Sequence, residues 1–315
     1  MRPGRCAVIG GGLAGAAVAA SFARRGWRVG VYDKAAQPAA GASALPAGLM
    51  APHVSADDNL LSQLTRAGVD CTLQQAQALL REGDWALSGV ETRRGGAAIH
   101  HATGAWVRPA ALVHAWLATP GVRWHGNQAI ERAEDLDADL VVVAAALGSA
   151  ALAGLELTPV RGQVTWAWRE GTESLPPTPL NGNGHFIPCA PVEGRDAWLT
   201  GSTYARGDTG LDVRAEDDAA NLERLRALAP EVAAQLAPRF ENGEVRAWTG
   251  VRCTSTDRRP LVGFVGKRIA VCTAMGSRGL SFAALCAELL AAQVHGEPLP
   301  MPGRLAAALD VARVR

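Results

Sequence analysis

Beyond its first two dozen residues the chain has no stretch near the 18 or so uninterrupted apolar residues that a membrane-spanning helix requires, so no membrane attachment is expected. It also lacks a surplus of either charge. Lysine and arginine number 31 against 30 aspartates and glutamates, a formal net charge of +1, which on global electrostatics excludes a nucleic-acid coat protein and a binder of acidic membranes. Cysteine is sparse. The six (Cys6, Cys71, Cys189, Cys253, Cys272 and Cys286) are scattered with no C-x-x-C pair, which argues against zinc and a disulfide framework and for a reducing, cytoplasmic compartment. His100, His101, His114 and His125 have no carboxylate or cysteine at ligand spacing, so no metal is expected. No internal repeat of roughly 20 to 50 residues is present either, which sets solenoids and propellers aside.

What the chain does have is glycine, 35 of them, within 315 residues of 48% apolar content. That composition suits a soluble α/β protein with helices packed closely on a sheet, in one extended domain or two interleaved ones. Arg2 and Arg5 precede an apolar, alanine-rich run to Ala23 that imitates a secretory signal. The glycines in that run have a separate explanation. CAVI (residues 6 to 9) reads as a strand, GGGLAG as a tight turn, LAGAAVAASFARRG as a helix ending at Gly26, and WRVGVYD as a second strand. Gly10, Gly12 and Gly15 form G-x-G-x-x-G between the first strand and the helix, and Asp33 closes the second strand 18 residues beyond Gly15. The glycines provide a sharp turn, room for a pyrophosphate against the backbone, and close helix packing, while Asp33 can accept from ribose hydroxyls. A dinucleotide site is therefore expected here.

Downstream, residues 35 to 52 are too rich in Gly, Ala and Pro for a regular element and too apolar for a solvated linker. Leu60, Leu61, Leu64, Val69, Leu73, Ala76 and Leu80 keep helical period, interrupted at Gly68, so one or two helices fit. A helix begins near Pro109, and residues 137 to 149 hold a buried strand of parallel-sheet type. From Val160 to Thr203 short runs rich in Val, Thr, Trp and Phe suggest an antiparallel sheet, followed by a polar helix over 216 to 228, a strand at EVRAWTGVR, a buried strand at IAVCTAMG and a helix over 280 to 294. The expected fold is α/β: a Rossmann-like FAD-binding domain interleaved with a smaller α+β substrate domain built on an antiparallel sheet. Residues 1–45, 126–160 and 252–315 are expected to bind the cofactor, with helices from 53–100 packed beside them, and residues 101–125 and 161–251 to form the substrate domain. A nucleotide domain that is interrupted and resumed near the far end favours FAD over NAD, and the glycine bend before the last helix places a second helix N-terminus near Gly276 and Gly279.

GASALPAGLMAP, GAWVRPAAL, LTPVRGQV, GSTYARGDTGLDVRAEDDAANLERL, GVRCTSTDRRPLVG and MGSRGLSFAALCAELLAAQVHGEPLPM resemble, in order and over nearly the whole chain, the oxidoreductase half of the MnmC family of bacterial tRNA wobble-uridine modification. That half belongs to the FAD-dependent D-amino-acid, glycine and sarcosine oxidase superfamily. The resemblance implies a D-amino-acid oxidase-like fold and oxidation of the carboxymethylaminomethyl group on the wobble uridine, which releases glyoxylate and leaves an aminomethyl group. It implies a tRNA partner and a separate methyltransferase. It also implies FAD held non-covalently by Gly10, Gly12, Leu13, Ala14, Gly15, Asp33, Lys34, Gly41, Ala42, Ser43, Gly48, Leu49, Met50, Gly162, Gly276, Ser277, Gly279 and Leu280.

Arg252 resembles the arginine that binds the substrate carboxylate in related glycine oxidases, a task suited to the bidentate guanidinium fork. Arg278 resembles a second arginine near that carboxylate, and Tyr204 a hydrogen-bonding group over the flavin. The competing structural role for Arg252 is an ion pair with Asp257 or a neighbouring acid. Cys253 adjoins this site, and some sarcosine oxidases attach flavin through cysteine, but a buried cysteine more often serves as a small hydrophobe. Phe186 in GHFIP stands where the family carries tyrosine, so a polar contact above the flavin is expected to be missing. A tRNA partner needs a basic rim, for which Arg24, Arg25 and Arg28, or Arg304, Arg313 and Arg315, are the candidates. A free-standing oxidase of small N-substituted glycines or amino acids would use the same fold and the same arginine.

Overall fold

The computed structural model of the protein describes residues 1–172 and 174–314. Short apolar runs stack into a six-stranded sheet. Its order is Leu261–Phe264, Ile269–Thr273, Leu140–Val143, Arg5–Ile9, Arg28–Tyr32 and Val122–His125, parallel throughout except for the antiparallel edge strand Leu261–Phe264. Cys6 and Val8 lie opposite Val29 and Val31 on one side and Leu140 and Val142 on the other. The segment that imitates a secretory signal is thus the centre of this sheet and the helix Leu13–Arg24 laid against it, with Val8, Val18 and Phe22 fully buried. Among the described residues, no helix is long and apolar enough to cross a membrane.

The helical period after Asp57 is one helix, Leu60–Leu79, capped by Asn59, whose side chain accepts from the Ser62 N–H at 3.1 Å. It runs straight through Gly68. A Cβ there would sit 1.9 Å from the Ser281 carbonyl oxygen, so the glycine marks the closest approach to the helix Gly279–His295, and one turn on Thr72 donates to the Leu280 carbonyl at 2.7 Å.

The expected antiparallel sheet runs Ala205–Arg206, Thr158–Trp168, Arg195–Gly201, Gly184–Val192, Leu180–Gly182, Val90–Arg94 and Ala97–His101, antiparallel except where Leu180–Gly182 pairs with Val90–Arg94 in parallel, and Arg246–Thr254 also pairs with Thr158–Trp168. Its last two strands correct the expectation of helices over 53–100. Gly95 and Gly96, at φ +58° and +80°, make the tight turn of a hairpin that pairs Arg94 with Ala97 and extends this sheet. Two elements from 101–125, expected in the substrate half, lie on the parallel sheet instead. The helix Pro109–Leu117 buries Leu112, Val113 and Trp116 in the same core as Phe22 and Trp27, and Val122–His125 pairs with Arg28–Tyr32. A helix absent from the sequence reading, Pro230–Glu241, follows Ala215–Leu228 and packs Val232, Ala233 and Leu236 against Leu222, Leu225 and Leu228.

Candidate functional site

A cavity of about 1610 Å³ is lined from both large sheets, larger than the roughly 300–1,000 Å³ of an ordinary small-molecule pocket. The glycine turn forms one end. Gly10 stands at φ +111°, where a Cβ would lie 2.5 Å from the Ala144 carbonyl oxygen, and a Cβ on Gly15 would fall 1.8 Å from the Gly10 carbonyl oxygen. Any side chain at either position would push turn and helix off the sheet. Asp33 is fixed at the edge of the turn, accepting from the Gly11 N–H at 2.6 Å and the Ala35 N–H at 2.8 Å, which leaves carboxylate lone pairs for a ribose. Ser43 accepts from the Leu13 N–H at 3.0 Å. The starts of two helices, at Leu13 and at Gly279, line the same cavity, so two positive helix ends face one space. This cradle fits the diphosphate and adenosine half of FAD.

Arg252 enters the cavity from the strand Arg246–Thr254. Its Nη2 donates to Ser202 Oγ at 2.7 Å and to the Thr203 carbonyl at 3.2 Å, its Nη1 to Ser277 Oγ at 3.3 Å, and its Cζ lies 5.6 Å from the centre of the Tyr204 ring. Among the described residues no carboxylate pairs with it. Asp257, the expected rival, is bound instead by Arg259 at 2.6 Å and Arg313 at 2.8 Å. Burial opposes the ionisation of Asp257, but Arg313, the Arg259 N–H and Ser255 outweigh it and hold the carboxyl well below the usual range. Burial pulls the Arg252 pKa below its ordinary value, partly offset by Tyr204. A partly desolvated guanidinium with no anion partner is a ready carboxylate site.

The neighbouring strand makes room for it. A Cβ on Gly162 would lie 1.9 Å from Arg252 Nη2, and one on the paired Gly250 would meet the Trp248 ring at 2.2 Å. Of the residues expected to hold FAD, Gly10, Gly12, Leu13, Ala14, Asp33, Lys34, Gly41, Ala42, Ser43, Gly48, Leu49, Gly276, Ser277, Gly279 and Leu280 line the cavity, together with Arg252, Arg278 and Tyr204. Gly15, Met50 and Gly162 do not. Gly15 sits beneath the turn, Met50 is fully buried in the core, and Gly162 lies under Arg252.

Sequence reasoning missed Trp248, Gly250, Ser202, His185 and His53, all on the cavity wall. Strand alternation through RAWTGVR was a sufficient signal for the first two, since 248, 250 and 252 share a face. His185 and Ser202 carried no local signal. Phe186 is corrected: it is fully buried under the helix Ala215–Leu228, and its neighbour His185 faces the cavity. Burial, and then Arg252, lower the His185 pKa to about 4, and its Nε2 has no partner among the described residues. Cys253 also lines the cavity, where burial pushes its thiol up to about 11 and keeps it protonated.

The two expected basic rims are corrected as well. Arg24 and Arg25 pair with Glu288 at 2.8 and 2.9 Å, Arg313 is bound to Asp257, Arg304 donates to Gln63, and none of these, nor the exposed Arg28, lines the cavity; Arg315 lies outside the described residues. Arg94, Arg258 and Arg278 on the cavity wall are cationic without an acid partner among the described residues.

The family model described as "FAD dependent oxidoreductase" matches residues 5–90 and 78–293. The chain is 45% identical, over 98% of its length, to the tRNA 5-methylaminomethyl-2-thiouridine biosynthesis bifunctional protein MnmC of Polaromonas naphthalenivorans (strain CJ2), of which it covers 59%. It is 34% identical over 97% of its length to the protein of the same name from Ralstonia nicotianae, again covering 59%. The chain therefore spans about three fifths of these curated relatives. Among solved structures, glycine oxidase from Geobacillus kaustophilus superposes with a TM-score of 0.77 at 20% identity, covering 93% of this chain and 95% of that one. Iminodiacetate oxidase from Chelativorans sp. BNC1 gives 0.73 at 19% identity, covering 96% and 98%. Both likenesses establish the fold.

Proposed function

We propose, because this chain belongs to the FAD-dependent oxidoreductase family, that it oxidises the carboxymethylaminomethyl group on a tRNA wobble uridine to an aminomethyl group and glyoxylate. The observation that carries this reading is Arg252: a guanidinium aimed into a cofactor-sized cavity with no carboxylate to neutralise it among the described residues. The substituent is an N-substituted glycine, whose carboxylate is the missing anion. Similarity to proteins named for tRNA 5-methylaminomethyl-2-thiouridine biosynthesis supports the choice of tRNA over a free amino acid.

FAD, held non-covalently by the glycine turn, Asp33 and Ser43, would supply a two-electron acceptor for the glycyl C–H bond; with that hydride equivalent and the amine proton gone, the substrate would be an imine that water hydrolyses. The chain's own residues position and polarise. Ser202, the Thr203 carbonyl and Ser277 hold the Arg252 fork in place through both Nη2 protons and one on Nη1, which leaves donors on Nη1 and Nε for a carboxylate whose grip fixes the adjacent methylene. Arg252 and Arg278 together raise the local potential, which disfavours a protonated amine and keeps the nitrogen lone pair available. His185, held neutral by burial and by Arg252, adds no further positive charge beside the clamp. Glycine 162 sets the depth of the clamp.

The test is anaerobic mixing of the FAD-loaded protein with tRNA carrying carboxymethylaminomethyluridine, beside sarcosine and glycine. Bleaching of the flavin by the tRNA with release of glyoxylate is expected. Arg252→Ala should abolish that bleaching with FAD still bound. Bleaching by the small amines and not by the tRNA would replace this reading with a small-amine oxidase.

A further inference from the structure

The cavity opens through a collar of unusual composition. Val54, Ile99, Tyr204 and Leu211 line it and are 43%, 42%, 43% and 65% exposed. They come from three separate segments: the stretch after Gly48–Met50, the hairpin Val90–His101, and the residues after the strand Arg195–Gly201. Large exposed apolar groups gathered from distant segments at one opening mark a binding surface. Between them stand Arg94 and Arg258, both exposed and neither paired with an acid among the described residues. Arg278 sits close enough for both to lower its pKa, after burial, and His53 responds in the same way to burial, Arg278 and Arg94. Among the described residues the cavity wall carries only two carboxylates, Asp33 and Glu131, both from segments of the parallel-sheet side.

A second hollow of about 710 Å³ adjoins this wall. It shares Arg94, Ala97, Gly182 and Asn183 with the main cavity, and its one carboxylate, Glu91, is held by Arg93 at 2.6 Å. A pocket for a free amino acid has no use for an open, apolar and cationic approach of this kind. A nucleic-acid strand with splayed bases needs those two chemistries, cations for phosphates and apolar faces for bases.

We propose that this collar seats the RNA strand around the target nucleotide, with Arg94 and Arg258 on backbone phosphates and Val54, Ile99 and Leu211 against the faces of unstacked bases. The proposal rests on the wobble-uridine reading for the identity of the RNA. Its test is separate, because it reads binding rather than oxidation. An unmodified anticodon stem–loop with uridine at the wobble position is titrated into the FAD-loaded protein by fluorescence anisotropy over a range of salt. Each phosphate contact contributes a slope of about 0.7 in log affinity against log salt for a single strand, or about fivefold at 0.1 M salt.

Arg94→Ala with Arg258→Ala is therefore expected to weaken binding by about 25-fold and to lower the slope by about 1.4. Ile99→Ser with Leu211→Ser is expected to weaken binding with the slope unchanged. Equal affinity and slope in the arginine variants, or no binding by the unaltered protein at low salt, overturns the collar. Oxidation of modified tRNA with binding unmoved by the variants sinks the collar and spares the wobble-uridine reading. Weakened binding in the variants without any oxidation sinks that reading and spares the collar.

Discussion

Gly162→Ala adds one methyl group directly beneath the Arg252 guanidinium. The dihedral angles of Gly162 do not demand glycine, since it lies outside the left-handed region, and alanine in a strand interior is favoured by roughly 0.5–1 kcal/mol. The demand comes from Arg252 and from the Thr203 carbonyl. The new Cβ would lie 1.9 Å from its Nη2, 2.7 Å from its Cζ and 2.8 Å from the Thr203 carbonyl oxygen, whereas ordinary contact begins at 3.4 Å. Nη2 must therefore retreat by about 1.5 Å, and the Thr203 carbonyl closes the way inward. The guanidinium swings into the cavity, leaving Ser202 Oγ at 2.7 Å and Thr203 at 3.2 Å.

A charge-assisted contact is worth about 1.5–3 kcal/mol, so kcat/KM should fall by about 10- to 100-fold. Fold and cofactor binding should be untouched. Anaerobic stopped-flow reduction of the flavin over a range of substrate, with FAD affinity by fluorescence and Tm by circular dichroism, separates these effects. A collapse of FAD affinity with normal reduction kinetics would refute the reasoning and return Gly162 to the cofactor contact that family resemblance implies.

Gly68→Ala would drive a methyl group into the Ser281 carbonyl and part the helices Leu60–Leu79 and Gly279–His295, at a cost of about 1–3 kcal/mol visible in denaturant melts; an unchanged midpoint would count against this contact. Arg161 is fully buried, pairs with Asp217, and donates to the Gly210 carbonyl at 3.1 Å and the Asp212 carbonyl at 2.6 Å, so Arg161→Met should cost about 3–5 kcal/mol and speed hydrogen exchange over residues 207 to 214. A loss below about 1 kcal/mol would show the network to be dispensable. His185 titrates near 4 in the folded protein against an ordinary 6.5, so between those values the unfolded chain holds the extra proton. Stability is then greatest above about pH 6.5 and falls as pH drops toward 4, with a slope from this residue of up to about 1.4 kcal/mol per pH unit. His185→Gln should flatten that part of the curve, and superimposable pH profiles would contradict the assignment.

The elements legible in the sequence are those whose signals are local. CAVI, the glycine turn and WRVGVYD carry strand, bend and strand within 34 residues, and LVVV can only be a buried strand. The hairpin Val90–His101 has no such signal. VETRRGGAAIHH is half charged or small, and its strands persist because Glu91 and Thr92 pair with Leu180 and Asn181, far along the chain. Arg252 was found through its motif, while Trp248 and Gly250 needed only the alternation that the motif already implied. The Phe186 error has the same root: a slip of one residue moves a strand side chain to the opposite face, and the cavity received a histidine where resemblance pointed to its neighbour.

The long pairing of Thr158–Trp168 with Arg246–Thr254 does more than carry the clamp. On one face it presents Gly250, Trp248 and Arg252 to the cavity, with Gly162 beneath Arg252. On the other, Gln163 is completely engaged: its amide nitrogen donates to the Arg214 carbonyl at 2.8 Å and to Asp218 at 2.9 Å, its amide oxygen accepts from the Arg214 N–H at 2.9 Å, its backbone N–H donates to Thr203 Oγ1 at 3.0 Å, and its carbonyl accepts from Asn221 at 3.0 Å. Thr203 adjoins both Ser202 and Tyr204, and the Arg214 end of this network closes the segment that carries Leu211. The carboxylate clamp and the apolar lip of the opening are thus fastened to opposite faces of one strand. Gln163→Leu would leave the Arg214 N–H without its acceptor and take a donor from the Arg214 carbonyl and from Asp218 behind the strand. It should therefore impair flavin reduction and stem–loop binding together, although residue 163 faces neither ligand. Loss of one without the other would show that clamp and collar are held independently.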